Sequence, residues 1–274
     1  QLTPGVGADP SCLGVLNLRG QVIPVFDLPA IVGCTPETGL NILLVTEYAR
    51  TVQAFAVESV EDIARLDWTQ VVPAESSGSV KSLVTSFARM KDEATGEQRL
   101  AQVLDVEAIV NMVTPEKERP SVAGKNIGAK VKMKSNSIVL AADDSFVARA
   151  LIEQTLKELE APFEIVKSGK EAWDRLNALA DQAASEGGSV YEKVGMVLTD
   201  LEMPEMDGFT LTSQIKKSAR LSQLPVLIHS SLSGTTNEDL VQKVGANGYV
   251  SKFQPAELAY AIREALAKNP MMAE

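Results

Sequence analysis

Residues 197–208 read VLTDLEMPEMDG: a short apolar run ends on Asp200, and a turn rich in acids, Met and Pro follows before Gly208. Apolar residues in unbroken succession, closed by turn signals, read as a strand covered on both faces, as in a parallel sheet. Working outward, runs of the same kind occur at 137–142 (SIVLAA), 163–167 (FEIVK), 195–200 (GMVLTD), 224–229 (LPVLIH) and 248–252 (GYVSK). Helical patterns separate them. Ser145 offers an N-cap to a helix with Ala148, Leu151, Ile152, Thr155, Leu156 and Leu159 on one face. Further helices are expected over residues 170–183 and 209–217. Another opens with the capping-box spacing Thr235-x-x-Glu238 and buries Leu240, Val241 and Val244. A last one buries Leu258, Ile262, Ala265 and Leu266. The segment ASEGGSVYEKV (184–194) is read as a surface loop insertion. Five strand–helix units with right-handed crossovers make a doubly wound α/β fold over residues 137–268.

In such a sheet, ligands collect at the carboxyl ends of the strands. Strand one ends in Asp143 and Asp144, strand three in Asp200, strand four in Ser230 and strand five in Lys252. Any one acid at a strand end commonly does no more than cap a helix. Three carboxylates gathered together repel one another, and a hard divalent cation such as Mg²⁺ relieves that repulsion. A carboxylate beside bound Mg²⁺ can attack a phosphoryl group, with an ammonium balancing charge and a hydroxyl donating to a phosphate oxygen. The rim therefore reads as a phosphoacceptor site.

With these residues in view, the segment from Ser137 to Ala267 resembles a response-regulator receiver domain, of flavodoxin-like fold. LAADDS matches its acidic pair, VLTDLEMPEMDG its phosphoacceptor motif, PVLIHSS its strand-four switch and GANGYVSK its strand-five end. The resemblance implies Asp200 as acceptor, with Mg²⁺ held by Asp143, Asp144, Asp200 and the backbone carbonyl of Glu202. It implies Lys252 and Ser230 as phosphate contacts, and Ser230 with Tyr249 as a coupled switch pair. Two departures stand out. Receivers commonly place proline after the lysine, usually in cis, whereas Phe253 follows here; a non-proline cis bond costs about 3–4 kcal/mol, which puts the aim of Lys252 in question. Leu232 also brings an apolar residue beside the phosphate site.

The first half is strand-like. GVLNLRGQVIPVFDL (14–28) has two apolar runs split at Arg19-Gly20-Gln21, a hairpin signature. LNILLVTE and TVQAFAVESV form a second pair, and RLAQVLDVEAIV adds a run that drifts into a short helix. Closely spaced strands with little helix imply antiparallel pairing in a small β-barrel or sandwich. These residues resemble, over Leu13 to Val113, the CheW-like chemotaxis coupling domain, and a coupling domain followed by a receiver is the architecture of the CheV-type chemotaxis proteins. The resemblance implies docking on chemoreceptor signalling tips and on the histidine kinase CheA, with CheW as a further partner, and Arg19 as a docking residue. Members of that family carry strands before the point matching Gln1, so the domain is expected to be an incomplete barrel whose opening segment packs poorly.

The expected organisation is thus a coupling domain over 1–114, a linker over 115–136, a receiver over 137–268 and a tail over 269–274. The stretch 114–136 is polar, holds six basic residues and has no apolar period. A net charge of -10 disfavours nucleic acid as a partner. No apolar run reaches the ~18 residues of a membrane span, and Cys12 and Cys34 lack metal or redox spacing, so a cytoplasmic protein is expected, recruited to receptor arrays. The single histidine, His229, argues against a Ser-His-Asp hydrolase. The expected function is a phosphorylation-tuned, non-enzymatic signalling adaptor, with a phosphate-sink role included. The alternative is an Mg²⁺-dependent aspartyl-phosphate phosphatase of haloacid-dehalogenase type, in which Glu202 would be the general acid/base. That reading lacks a cap domain and a downstream acidic motif.

Overall fold

The computed structural model of the chain describes residues 2–4, 10–48, 51–74, 83–91, 96–115, 118–119, 121–122, 127–231 and 241–269. The chain divides into two compact units, residues 1–65 with 105–119, and residues 66–104 with 120–274.

The first unit contains β1 (Cys12–Leu18), β2 (Gln21–Asp27), α1 (Leu28–Val32), β3 (Ile42–Tyr48), β4 (Thr51–Val57) and α2 (Val106–Val113), with the strands in the order β1-β2-β4-β3. The expected hairpin forms: Leu18 pairs with Gln21 across a two-residue turn in which Arg19 and Gly20 both have positive φ, 52° and 88°. Such a turn matches the right-handed twist of the strands, and the Asn17 side chain accepts from Gly20 N at 3.0 Å. β3 and β4 pair antiparallel as their alternation predicts. β2 and β4, however, run parallel, against the expected all-antiparallel pairing. The reason lies in α1, where Asp27 caps the start and Gly33, in the left-handed region, ends the helix. The chain thereby crosses over before β3 begins. Ile23, Val25, Ala54 and Ala56 form the buried cluster of this sheet. Its edge strand β3 leaves Ile42, Leu43, Leu44 and Val45 exposed.

The second unit contains an antiparallel sheet of β5 (Val71–Pro73), β6 (Val84–Lys91) and β7 (Gln98–Leu104). It also contains the doubly wound sheet, made of β8 (Ile138–Ala142), β9 (Phe163–Val166), β10 (Val194–Thr199), β11 (Val226–Ser230) and β12 (Gly248–Ser251). Their order is β12-β11-β10-β8-β9, with every pair parallel. α3 (Phe146–Glu158), α4 (Gly169–Ser185), α5 (Val190–Lys193), α6 (Gly208–Lys217) and α7 (Pro255–Leu266) accompany it. The apolar face expected on α3 is buried in full, from Ala148 to Leu159, and so is that of α7. Every residue of β10 is buried, as an unbroken apolar run requires. Burying each large aliphatic chain stabilises this core by roughly 1.5–3 kcal/mol. The helix expected from Thr235 falls in part outside the described residues.

Three segments read as irregular carry structure. The stretch taken for a loop insertion holds α5, closed by a capping box between Ser189 and Glu192; four residues are too short for a helical period to register. Residues 127–131, inside the stretch read as a linker, are fixed to the doubly wound part. Arg263 Nη1 donates to Ile127 O (2.7 Å) and Ala129 O (3.2 Å), Val131 N donates to Leu159 O (3.0 Å), and Lys130 pairs with Glu160. At the other end, Asn269 is buried and donates to Val194 O and Gly195 O at 3.0 and 2.8 Å.

Candidate functional site: an acidic rim on the doubly wound sheet

β8, the inner strand between β9 and β10, delivers Asp143 and Asp144 just past its last residue, Ala142. β10 delivers Asp200 in the same way, and Asp200 N donates to Ala142 O at 2.9 Å, so the two strand ends stay in register up to the acids. β12 ends one residue before Lys252, whose N–H donates to Ser230 O at 2.9 Å. The sheet thus gathers the expected residues.

Their side chains meet. Lys252 Nζ lies 2.9 Å from Asp143 Oδ2 and 2.9 Å from Asp200 Oδ2, with Lys252 only 1% and Asp143 0% exposed. Charges this deeply buried are tolerated only when paired, and one ammonium between two carboxylates provides the pairing. Asp144 is partly exposed, and one carboxylate oxygen each from Asp143, Asp144 and Asp200 lie within 4.8 Å of one another. An octahedral Mg²⁺ with ligands at about 2.1 Å holds them no more than about 4.2 Å apart. The three oxygens stand at or close to that limit, and hard oxygen donors are the type such an ion takes. The donor set fits Mg²⁺.

The acids are held from behind. Asp143 Oδ1 accepts from Ser145 N (2.9 Å), and Asp200 Oδ1 accepts from Leu201 N (2.7 Å). Ser145 caps α3, as its position before the helix predicts. Gly208 opens α6 so close to Asp200 that a Cβ there would stand 2.0 Å from Asp200 O. Only glycine allows this approach. Arg149, in the second turn of α3, donates from Nη1 to Asp143 O (2.8 Å) and to Asp144 O (2.7 Å). No reading of the sequence marked Arg149, because an arginine in an early helical turn is ordinarily a surface charge.

The departure at Phe253 resolves differently from expectation. Among the described residues no peptide bond is cis, and Phe253 instead takes a left-handed backbone with φ 64°. For a residue with a Cβ this costs roughly 1–2 kcal/mol, and the ring is buried, at 8% exposure, which offsets it. The chain reversal after Lys252 is thereby made without proline, and the ammonium still reaches both acids.

Ser230 is buried at the end of β11. Tyr249 sits opposite Ile228 on β12 and packs against the cluster of Leu201, Ile228 and Val241. It therefore touches the group that includes the immediate neighbour of Asp200. Glu202 is exposed in the turn after Asp200. Leu232 lies outside the described residues. Arg19 stands exposed at the tip of the β1–β2 hairpin, in the other unit. His229 is fully buried with neither ring nitrogen hydrogen-bonded. Burial holds its pKa well below the ordinary imidazole value, and the positive charge of Lys252 acts in the same direction, so the ring is neutral.

Comparison with known proteins agrees with this arrangement. The CheW-like domain family matches residues 1–114, and the response regulator receiver domain family matches residues 139–263. Chemotaxis protein CheV2 of Helicobacter pylori is 28% identical over 275 residues, spanning 95% of this chain and 82% of its own length. Chemotaxis protein CheV3 of the same organism is 27% identical, spanning 94% of this chain and 80% of its own. Two-component response regulator ORR5 of Oryza sativa subsp. japonica is 34% identical over 122 residues, 44% of this chain and 82% of its own length. None of the helices among the described residues is long and apolar enough to cross a membrane. With a CheW-like domain ahead of a five-stranded parallel receiver sheet, and chemotaxis proteins CheV2 and CheV3 aligned along nearly its whole length, the chain belongs to the CheV-type chemotaxis proteins.

Proposed function

We propose that this adaptor couples chemoreceptor signalling tips to the histidine kinase CheA through its CheW-like domain, over residues 1–114, and is regulated by phosphorylation of Asp200 in its receiver, over residues 137–268. The observation that carries this reading is the single ammonium of Lys252 shared by Asp143 and Asp200, with Asp144 alongside. In the transfer, the N–P bond of a phosphohistidine breaks as an O–P bond to the Asp200 carboxylate forms. The departing imidazole keeps the N–P electron pair and takes a proton from water. Asp143, Asp144, Asp200 and the carbonyl of Glu202 are the residues to hold Mg²⁺, which when bound neutralises charge on the transferring phosphoryl oxygens.

Lys252 then turns from Asp200 toward the transferred group, and the Ser230 hydroxyl donates to one of its oxygens. Tyr249 follows Ser230, repacking against Leu201 and Ile228; that movement is the signal. The exposed Arg19 hairpin is the docking point for receptor or kinase, with CheW as a further neighbour in the array. The protein turns over no substrate of its own, and when phosphoryl groups exceed need it acts as a phosphate sink.

The test is incubation with radiolabelled phospho-CheA and Mg²⁺. The wild-type protein takes up label, Asp200→Asn does not, and chelation of Mg²⁺ blocks uptake. Label retained by Asp200→Asn overturns the site. A pull-down with receptor tips and CheA, with and without phosphorylation, then tests the coupling role, which loss of both partners from the wild-type protein overturns.

A further inference from the structure

Arg149 meets the rim through main-chain oxygen. Its Nη1 bridges the carbonyls of Asp143 and Asp144, at 2.8 and 2.7 Å, from a helix whose first turn is already fixed by Ser145. The two carbonyls belong to consecutive peptide units. Holding both with one planar, permanently charged group fixes the rotation of each unit, and with it the direction in which each Cα–Cβ bond projects.

The same contact settles a charge problem. Three carboxylate oxygens lie within 4.8 Å of one another, and Lys252 Nζ stands 2.9 Å from Asp143 Oδ2 and from Asp200 Oδ2. Arg149 reaches the acidic pair through its two carbonyls and so adds a positive charge beside it. Its carbonyl partners also give the arginine a stable seat: helix α3 supplies the stem, and the strand end supplies the acceptors.

We infer that Arg149 is a positioning residue for the cation site, acting through the main chain of Asp143 and Asp144 to aim both carboxylates at one ion. This rests on the phosphoacceptor reading above for the identity of the ion, but the main-chain clamp is a property of the ion-free chain. Groups that orient metal ligands without touching the metal typically alter affinity by about 10–100-fold when removed. Arg149→Met keeps the apolar stem and loses both donors; Arg149→Lys keeps charge without the planar fork.

The full chain is cleared of metal and titrated with Mg²⁺ by calorimetry, while amide hydrogen exchange is followed at residues 143–148 in chelator. Arg149→Met is expected to bind Mg²⁺ about tenfold or more weakly and to exchange faster at 143–145 with no ion present. Arg149→Lys is expected to recover part of the affinity. In an Asp144→Asn background the arginine substitution is expected to lose part of its effect, because one of the two carboxylates it aims is gone. Wild-type affinity and wild-type exchange in folded Arg149→Met overturn the inference and leave the phosphoacceptor site standing. Should that variant fail to fold, the lysine variant carries the test, and wild-type affinity in it overturns the inference. Absence of Mg²⁺ uptake by the wild-type chain overturns the phosphoacceptor reading and, with it, this role, whereas wild-type uptake with unaltered affinity and exchange in the Arg149 variant overturns this role alone.

Discussion

Lys252 Nζ stands 2.9 Å from Asp200 Oδ2 while the lysine itself is 1% exposed, so this ammonium at the rim is also among the most deeply buried charges of the described residues. Such a group does two jobs at once. It makes burial of Asp143 and Asp200 tolerable in the resting protein, and it stands ready to follow negative charge onto a transferred phosphoryl group.

Lys252→Met leaves two buried carboxylates facing each other with no cation between them. Breaking a buried pair by removing one partner costs about 3–5 kcal/mol. The variant is expected to unfold at markedly lower urea concentration in chelator and to regain part of the loss when Mg²⁺ is added. Equal midpoints for variant and wild type in chelator would contradict the pairing.

Asp144→Asn is expected to act in the opposite direction on stability. Asp144 is the partly exposed member of the acidic trio, so its charge is the least committed to the buried pairing of Lys252 with Asp143 and Asp200. Removing its charge relieves repulsion, so the ion-free protein gains about 1 kcal/mol while Mg²⁺ affinity falls. Urea melts in chelator beside a calorimetric titration check both halves.

His229 makes stability depend on pH with a definite sign. Its folded pKa is depressed, by burial first and by Lys252 second. The unfolded chain therefore binds a proton below about pH 6.5 that the folded chain refuses. The stabilisation is complete above that value and is lost as pH falls toward the folded pKa, by at most about 1.4 kcal/mol per pH unit. Between pH 7 and 5 the wild type is expected to lose stability in chemical denaturation, and His229→Leu is expected to give a flatter profile. Parallel profiles would show that another group titrates there.

Gly208→Ala introduces a Cβ 2.0 Å from Asp200 O. Either α6 moves away or the Asp200 peptide rotates. We expect a loss of about 1–3 kcal/mol in stability, together with weakened beryllofluoride binding in the presence of Mg²⁺. Unchanged binding would mean the helix start yields and the acceptor does not.

Much of this was legible in the sequence because chemistry and topology coincide. Asp143, Asp200 and Lys252 each stand at the carboxyl end of an apolar run, and a parallel sheet brings those ends together whatever lies between. The acidic site and the five strands could be read for that reason. Arg149 could not, since its partners are main-chain carbonyls, which no residue pattern encodes. Residues 127–131 escaped notice for the same cause, as Arg263 grips carbonyl oxygens there. Phe253 concealed its left-handed backbone because a buried ring and a strained φ leave opposite marks on preference. The parallel pairing of β2 with β4 depends on a five-residue helix too brief to show a period.

The chain contains one histidine in 274 residues, and it lies one position before Ser230, within the electrostatic reach of Lys252. Nuclear magnetic resonance of the imidazole therefore has a single source in this molecule. Its ring nitrogens are unengaged by hydrogen bonds and shielded from water, so their resonance is set by nearby charge rather than by solvent exchange. Departure of the ammonium from Asp200 would be visible as movement of that one signal, a built-in reporter of the acceptor's state that needs no added dye or engineered tag.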